Sequence, residues 1–145
     1  MLLYNDPKVR KALLYLLDIK ELFEKIKRIN NDNNLDYNPI KHANRIIYPG
    51  HVGYKDEELN DVYDLKLASN ILDEAGYNSG EIDIVINYNV FEEGFSYNKA
   101  IAEELKTYWQ EMKYFDVTIK PLEWDGYVEK IQNDEIGLYR LGYKP

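Results

Sequence analysis

The stretch Ile82-Asp83-Ile84-Val85-Ile86-Asn87-Tyr88 decides how the rest of the sequence is interpreted. Its apolar residues alternate along one face, and Val85 adds an apolar side chain to the other face. A short and nearly continuous apolar run is typical of a strand that is buried on both faces of a parallel sheet. The sequence therefore predicts a core strand here.

Two more strands are predicted downstream, each preceded by a helix. A helix capped by Ser96 extends to about residue 112, and a strand follows at about residues 116–122. Asp125 is expected to cap a short helix, and the last strand is expected at about residues 136–143. Alternating strands and helices imply parallel pairing through right-handed crossovers. The predicted fold class is α/β, with a mixed and mainly parallel sheet flanked by helices.

The chain upstream of this region is predicted to begin with two helices. Asp6 and Pro7 are a typical helix start, because Asp6 can accept from free amides and Pro7 lacks an amide hydrogen to satisfy. Asp18 is expected to cap the second helix, with Glu21 as its reciprocal capping partner.

A long loop is predicted between these helices and the next one. The Asn-rich run at 30–34 is expected to stop the second helix, and no sustained periodicity follows it. The next helix is expected to end at Gly76 in the left-handed conformation. The predicted organisation is a helical segment at 1–29, a loop at 30–62, and a helix followed by βαβαβ at 63–145.

The composition argues against several classes of function. The 145 residues suit one domain, and no apolar run approaches the roughly 18 residues that a membrane helix needs. Lys and Arg number 18 against 26 Asp and Glu, which gives a net charge of −8 and disfavours nucleic acid as a partner. The absence of cysteine excludes disulfides and thiolate sites.

The motifs of metal, cofactor and catalytic chemistry are also missing. His42 and His51 lie in the predicted loop without a third ligand at a defined spacing. The turn at 89–94 is acidic and has one glycine, which does not suit a phosphate site. No nucleophile motif is present. We therefore expect no cofactor, no metal and no enzymatic activity.

Recognition chemistry is concentrated near the ends of the last two strands. Trp124 follows one strand, and Arg140, Gly142 and Tyr143 lie at the end of the last one, where open parallel sheets bind ligands. Arginine can bind a carboxylate with two parallel hydrogen bonds, and glycine allows another backbone to approach closely. These residues are candidate ligand-binding residues.

Six segments together resemble the bacterial extracellular solute-binding proteins of the oligopeptide, dipeptide and nickel class. One of them begins at Asn5, continues to Asp18, and is similar over its first part, Asp6-Pro7-Lys8-Val9-Arg10-Lys11-Ala12-Leu13, to the family's D-x-x-V-R-x-A-L helix. Another, Leu138-Tyr139-Arg140-Leu141-Gly142-Tyr143, is similar to its R-x-G-W strand, with Tyr143 in place of Trp. The remaining segments lie at residues 63–77, 86–89, 101–105 and 122–124.

The resemblance implies a single periplasmic-binding-protein-like lobe at 1–145, a fragment of a larger two-lobed protein, that binds oligopeptides or other small solutes. It implies two protein partners, the second lobe of the same protein and the permease of an ABC importer. It implies an extracellular or lipid-anchored parent protein. It also places Arg140, Gly142 and Tyr143 on the ligand-facing strand and Lys144 at the next position of the cleft.

An alternative remains open on the sequence alone. No signal peptide precedes Asp6, which is expected of a free-standing intracellular α/β domain that binds a regulatory small molecule or a partner protein. The same start, and an end on a strand at Pro145, are also expected of a fragment of a longer chain.

Overall fold

The computed structural model describes residues 5–32, 62–90 and 97–139, and these residues form five helices and three strands. The helices are α1 (Pro7–Tyr15), α2 (Ile19–Asp32), α3 (Leu65–Glu74), α4 (Tyr97–Gln110) and α5 (Trp124–Gln132). The strands are β1 (Ile82–Asn89), β2 (Phe115–Leu122) and β3 (Leu138–Tyr139).

The three strands form one parallel sheet in the order β2-β1-β3. Ile82 lies opposite Phe115 at one end of the β1–β2 pair, and Ile86 lies opposite Leu138 in the β1–β3 pair. Because β1 is the central strand, its alternating Ile82 and Ile84 are fully buried. The predicted α/β class and the parallel pairing are confirmed.

The helices pack on this sheet and on one another to form the core. α4 contacts both β1 and β2, α5 contacts β1, and α1 packs against α3. Trp109 of α4 is only 5% exposed, and its indole Nε1 donates a hydrogen bond to the Leu13 carbonyl of α1 at 3.1 Å. One continuous apolar core therefore joins the first helix to the sheet. In the part of the chain that the structure describes, no helix has the length and apolar character needed to cross a membrane.

The predicted caps Asp6 and Asp18 and the predicted terminator Gly76 are found at the expected residues, and Asp64 caps α3 in the same way. The carboxylates of Asp6, Asp18 and Asp64 accept backbone hydrogen bonds of 2.8, 2.9 and 2.8 Å from the first turns of α1, α2 and α3. Gly76 follows α3 with a φ of +84°, its amide donates to the Asp73 carbonyl at 3.0 Å, and the Tyr77 amide donates to the Leu72 carbonyl at 3.1 Å. This is the double hydrogen-bond pattern of a helix that ends in a left-handed residue.

A polar cluster of Glu21, Lys25, Glu104 and Tyr108 joins α2 to α4. The Tyr108 hydroxyl donates to Glu21 at 2.7 Å, and the Lys25 ammonium donates to Glu104 at 2.8 Å. Burial raises the pKa of Tyr108 to about 12, and the Tyr108 hydrogen bond lowers the pKa of Glu21. The Glu21 carboxylate is therefore engaged by the neighbouring helix, and among the described residues it forms no reciprocal capping hydrogen bond with the Asp18 amide, although the Asp18 carboxylate does accept from the Glu21 amide.

Several boundaries differ from the sequence prediction. α2 continues to Asp32, three residues beyond the predicted bound at residue 29 but within the Asn-rich run at 30–34 that is predicted to stop it, because asparagine in a helix costs only a few tenths of a kcal/mol. α5 begins at Trp124 with Glu123 at its N-cap, so Asp125 lies within the first turn and is not the cap. The predicted cap Ser96 and the strand beyond Tyr139 lie outside the described residues.

Candidate functional site

The carboxyl ends of the strands define one edge of the sheet. Asn89 ends β1 opposite Leu122, which ends β2, and Tyr139 of β3 lies opposite Asn87. α5 begins immediately after β2, so its first residues lie at this edge. In open parallel sheets, ligands bind outside the carboxyl ends of the strands. The side chains at this edge are therefore the candidates for ligand binding.

Three aromatic residues form a cluster at this edge, which we call the aromatic cluster: Trp124, Tyr127 and Tyr139. The rings of Trp124 and Tyr127 are stacked, with centroids 6.4 Å apart and an interplanar angle of 28°. The rings of Tyr127 and Tyr139 meet edge to face, also at 6.4 Å, with an angle of 82°. Both arrangements are favourable for aromatic pairs.

Burial divides the aromatic cluster into an anchor and two exposed surfaces. Tyr127 is 1% exposed, whereas Trp124 and Tyr139 are 45% and 47% exposed. The helical spacing of three residues brings Trp124 and Tyr127 to the same side of α5. The buried ring thus holds two exposed rings in fixed positions, which limits the conformational entropy that they would lose on contact with a ligand.

Asn87 is a buried polar residue in the central strand. It is 5% exposed, and no described residue forms a hydrogen bond with its side-chain amide. A buried amide that lacks a partner costs about 1–3 kcal/mol. Its position opposite Tyr139 places it in the strand pair that carries part of the aromatic cluster. The side-chain amide of Asn87 could therefore donate to and accept from a polar group of a ligand that reaches the central strand.

A cavity of about 80 Å³ lies between α4 and the carboxyl halves of β1 and β3, and we call it the α4 cavity. Its apolar lining comes from Ile86, Tyr88, Ile101, Ala102, Leu105 and Leu138. Asn87, Asn98 and Tyr139 complete its lining. Tyr139 therefore lines the α4 cavity, while its ring contacts the aromatic cluster on the α5 side of the sheet.

The structure describes one of the five predicted ligand-binding residues. Trp124 begins α5 two residues after the last residue of β2, and its side chain is exposed at the carboxyl edge of the sheet. Arg140, Gly142, Tyr143 and Lys144 lie outside the described residues, although Arg140 directly follows Tyr139 in the chain.

Sequence reasoning did not single out Tyr127, Tyr139 or Asn87 as site residues. The spacing of Trp124 and Tyr127 was a usable signal, because residues three apart share a helix face. A polar residue inside an otherwise apolar strand was a second signal, at Asn87. The α4 cavity left no local signal, because its lining comes from three separate elements.

The described residues also bear on metal and nucleophile chemistry. Among them, no group of three or more His, Asp or Glu side chains could hold a metal ion. The two serines that the structure describes have structural contacts: Ser79 donates to the Lys113 carbonyl at 3.0 Å, and Ser69 shares a hydrogen bond with the Tyr114 hydroxyl at 3.1 Å. His42 and His51 lie outside the described residues.

Comparison with solved structures shows the fold. The chain is similar to NikA from Brucella suis, whose crystal structure contains Fe(III)-EDTA, with a TM-score of 0.65 and 17% sequence identity. The match covers 93% of this chain and 27% of the NikA chain, so this chain spans about a quarter of the length of NikA. The periplasmic-binding-protein-like fold is thereby confirmed.

Comparison at the sequence level gives the family. No curated protein sequence matches the chain. The family model for bacterial extracellular solute-binding proteins, family 5 Middle, matches residues 2–145, which is nearly the whole sequence. The chain belongs to the family 5 bacterial extracellular solute-binding proteins.

Proposed function

We propose that this chain forms part of one lobe of the substrate-binding component of an ABC importer, and that its sheet edge binds oligopeptides. The observation that carries the proposal is the aromatic cluster at the carboxyl edge of a parallel sheet, in a family 5 chain. In this role the parent protein would be extracellular or periplasmic, including attachment to the cell surface by a lipid anchor. Its partners would be the solute, the second lobe and the importer's permease.

The chemistry of the edge suits a peptide. Exposed aromatic faces pack against side chains of many shapes, and the polar tip of tyrosine accepts or donates hydrogen bonds. In the proposal, Trp124 and Tyr139 provide this surface, and Arg140 binds a carboxylate. Gly142 allows the peptide backbone to approach, with Tyr143 and Lys144 beside it. Binding through backbone groups and adaptable rings would tolerate many peptide sequences.

One wall of a cleft binds its ligand weakly. The ordering of a flexible peptide and its loss of free motion cost several kcal/mol, and a single wall recovers only part of that energy. We therefore expect a millimolar dissociation constant for this chain. A nanomolar constant for the chain alone would contradict the proposal that it supplies one wall only.

A metal chelate is a second candidate, which the similarity to the Fe(III)-EDTA complex of NikA favours. Because the described residues include no three-ligand metal group, such a ligand would carry its own metal donors. The net charge of −8 favours a neutral or cationic ligand over an anionic chelate. Peptides therefore remain the first candidate.

The test uses tryptophan fluorescence, because the two tryptophans differ in exposure. Trp124 is 45% exposed at the site, whereas Trp109 is 5% exposed in the core. A pool of di- to pentapeptides should quench the wild-type emission saturably and raise the melting temperature. The Trp124→Phe variant should lose the quenching while it still melts cooperatively. An unchanged wild-type signal and melting temperature would contradict the proposal, and a response to Fe(III)-EDTA alone would favour the second candidate.

A further inference from the structure

We propose that the α4 cavity is a selectivity pocket for a small branched apolar group of the solute, such as the isopropyl or isobutyl side chain of valine or leucine. This inference rests on the proposed function, because it assigns part of the solute to a specific place beside the sheet edge. It adds a chemical preference that the aromatic cluster by itself does not supply.

The position of the α4 cavity connects it with the candidate site. Tyr88 and Leu138 line it near the carboxyl ends of β1 and β3, and the exposed Tyr139 stands at its border. The ring of Tyr139 contacts Tyr127 of α5, whereas Leu138 faces the cavity, because neighbouring residues of a strand point to opposite faces of the sheet. The aromatic cluster and the α4 cavity therefore lie on opposite faces and come together only at the carboxyl edge, where a solute that crosses the edge can contact the ring of Tyr139 and place one side chain in the cavity.

The size of the cavity limits the group that it can accept. An apolar cavity of about 150 Å³ accepts a benzene ring, and liquid water occupies about 30 Å³ per molecule. A volume of about 80 Å³ therefore suits a group of about three or four carbon atoms. A phenyl or indole ring is too large, and a methyl group would leave most of the space unfilled.

The lining determines the chemistry of the group. Five of the nine lining residues are aliphatic, and three of these, Ile101, Leu105 and Leu138, are half-buried. Two or three water molecules would fit by volume, but each needs two to four polar partners, and the lining has polar side-chain groups only on two asparagines and two tyrosines. Apolar groups are therefore favoured over water in the interior of the cavity.

The first test probes the cavity with isobutanol, which carries the isobutyl group without a peptide. In methyl-labelled protein, we expect saturable NMR shifts at the methyl groups of Ile101, Leu105 and Leu138. Leu105→Phe fills the space and should weaken isobutanol binding at least about tenfold. The matched control is Leu14→Phe, the same substitution at a residue that is 67% exposed and does not line the cavity. Ala102→Val is a second filling variant for use if Leu105→Phe is unstable.

The second test compares tripeptides Ala-X-Ala, with X as alanine, valine, leucine or tryptophan, by quenching of Trp124. Valine and leucine should bind several-fold more tightly than the other two, and Leu105→Phe should remove that preference. Absent isobutanol shifts in folded protein would overturn the proposed pocket. Isobutanol binding without a peptide preference would overturn its role in selectivity. If no peptide quenches Trp124, the proposed function fails, and the isobutanol shifts still decide whether the cavity accepts an apolar group.

Discussion

At the scale of single residues, two glycines have opposite backbone requirements. Gly76 has a φ of +84°, whereas Gly126 lies in the first turn of α5, and a Cβ built on either would contact nothing within 4 Å. Gly76→Ala should lower the free energy of unfolding by about 1–2 kcal/mol, because the left-handed conformation is strained for alanine. Gly126→Ala should raise it by about 0.5–1 kcal/mol. Urea titration of both variants measures the change in the free energy of unfolding. Changes in the same direction for the two variants would contradict this account.

Asn87 gives a second prediction at this scale. Since no described residue forms a hydrogen bond with its buried amide, Asn87→Leu should raise the free energy of unfolding by about 1 kcal/mol. If the Asn87 amide forms hydrogen bonds with the bound peptide, the same variant should also weaken the quenching of Trp124 by peptides. Asn70→Leu is the matched control at an exposed helix position and should change stability by less than about 0.5 kcal/mol. A destabilised Asn87→Leu variant would indicate a structural role for the amide.

At the scale of elements, the polar cluster between α2 and α4 predicts a response to alkaline pH. The pKa of Tyr108 is about 12 in the folded protein, against an ordinary value of 10.0. The unfolded chain therefore loses its proton first as the pH rises, and stability is lost between about pH 10 and pH 12. The hydrogen bond to Glu104 raises the pKa of Lys25 in the folded protein. The unfolded chain therefore loses the Lys25 proton first as well, which lowers the stability further at alkaline pH.

The matched variant for this response is Tyr108→Phe. It should be less stable than the wild type at neutral pH, because it removes the hydrogen bond to Glu21. It should also lose less stability than the wild type between pH 10 and pH 12, since it lacks the titrating hydroxyl. Melting temperatures across the alkaline range measure both effects. Parallel curves for the two proteins would contradict the assignment to Tyr108.

Elements that depend on neighbouring residues were predictable from the sequence. The caps at Asp6 and Asp18 and the terminator at Gly76 depend on hydrogen bonds within five residues, so local sequence is sufficient for them. The parallel sheet also followed, because a buried strand between two helices leaves few other topologies.

Features made by distant residues were not predictable. Tyr114 is fully buried, and its hydroxyl contacts Asp73 at 2.5 Å and Ser69 at 3.1 Å, more than forty positions away. The aromatic cluster was partly visible through Trp124, but its link to Tyr139 depends on the pairing of β1 with β3. The α4 cavity depends on the packing of three elements and could not be inferred from any one of them.

At the scale of the whole molecule, the net charge of −8 should influence which peptides bind. Exposed Glu123 and Asp125 flank Trp124 and add negative charge at the sheet edge. For tripeptides that differ only at the central residue, we expect lysine to bind more tightly than glutamine, and glutamine more tightly than glutamate. Each step should be about two- to fivefold at low salt, the size of a solvent-exposed charge interaction.

The dependence on salt identifies the origin of this preference. A preference due to the field of the whole chain should largely disappear at high salt, because screening shortens the reach of charge to a few ångströms. A preference due to a direct ion pair within the site should persist. If glutamate binds more tightly than lysine at every salt concentration, then basic groups at the site outweigh the charge of the chain. Arg140 and Lys144, the two basic candidates among the predicted ligand-binding residues, would then be the first to replace with glutamine.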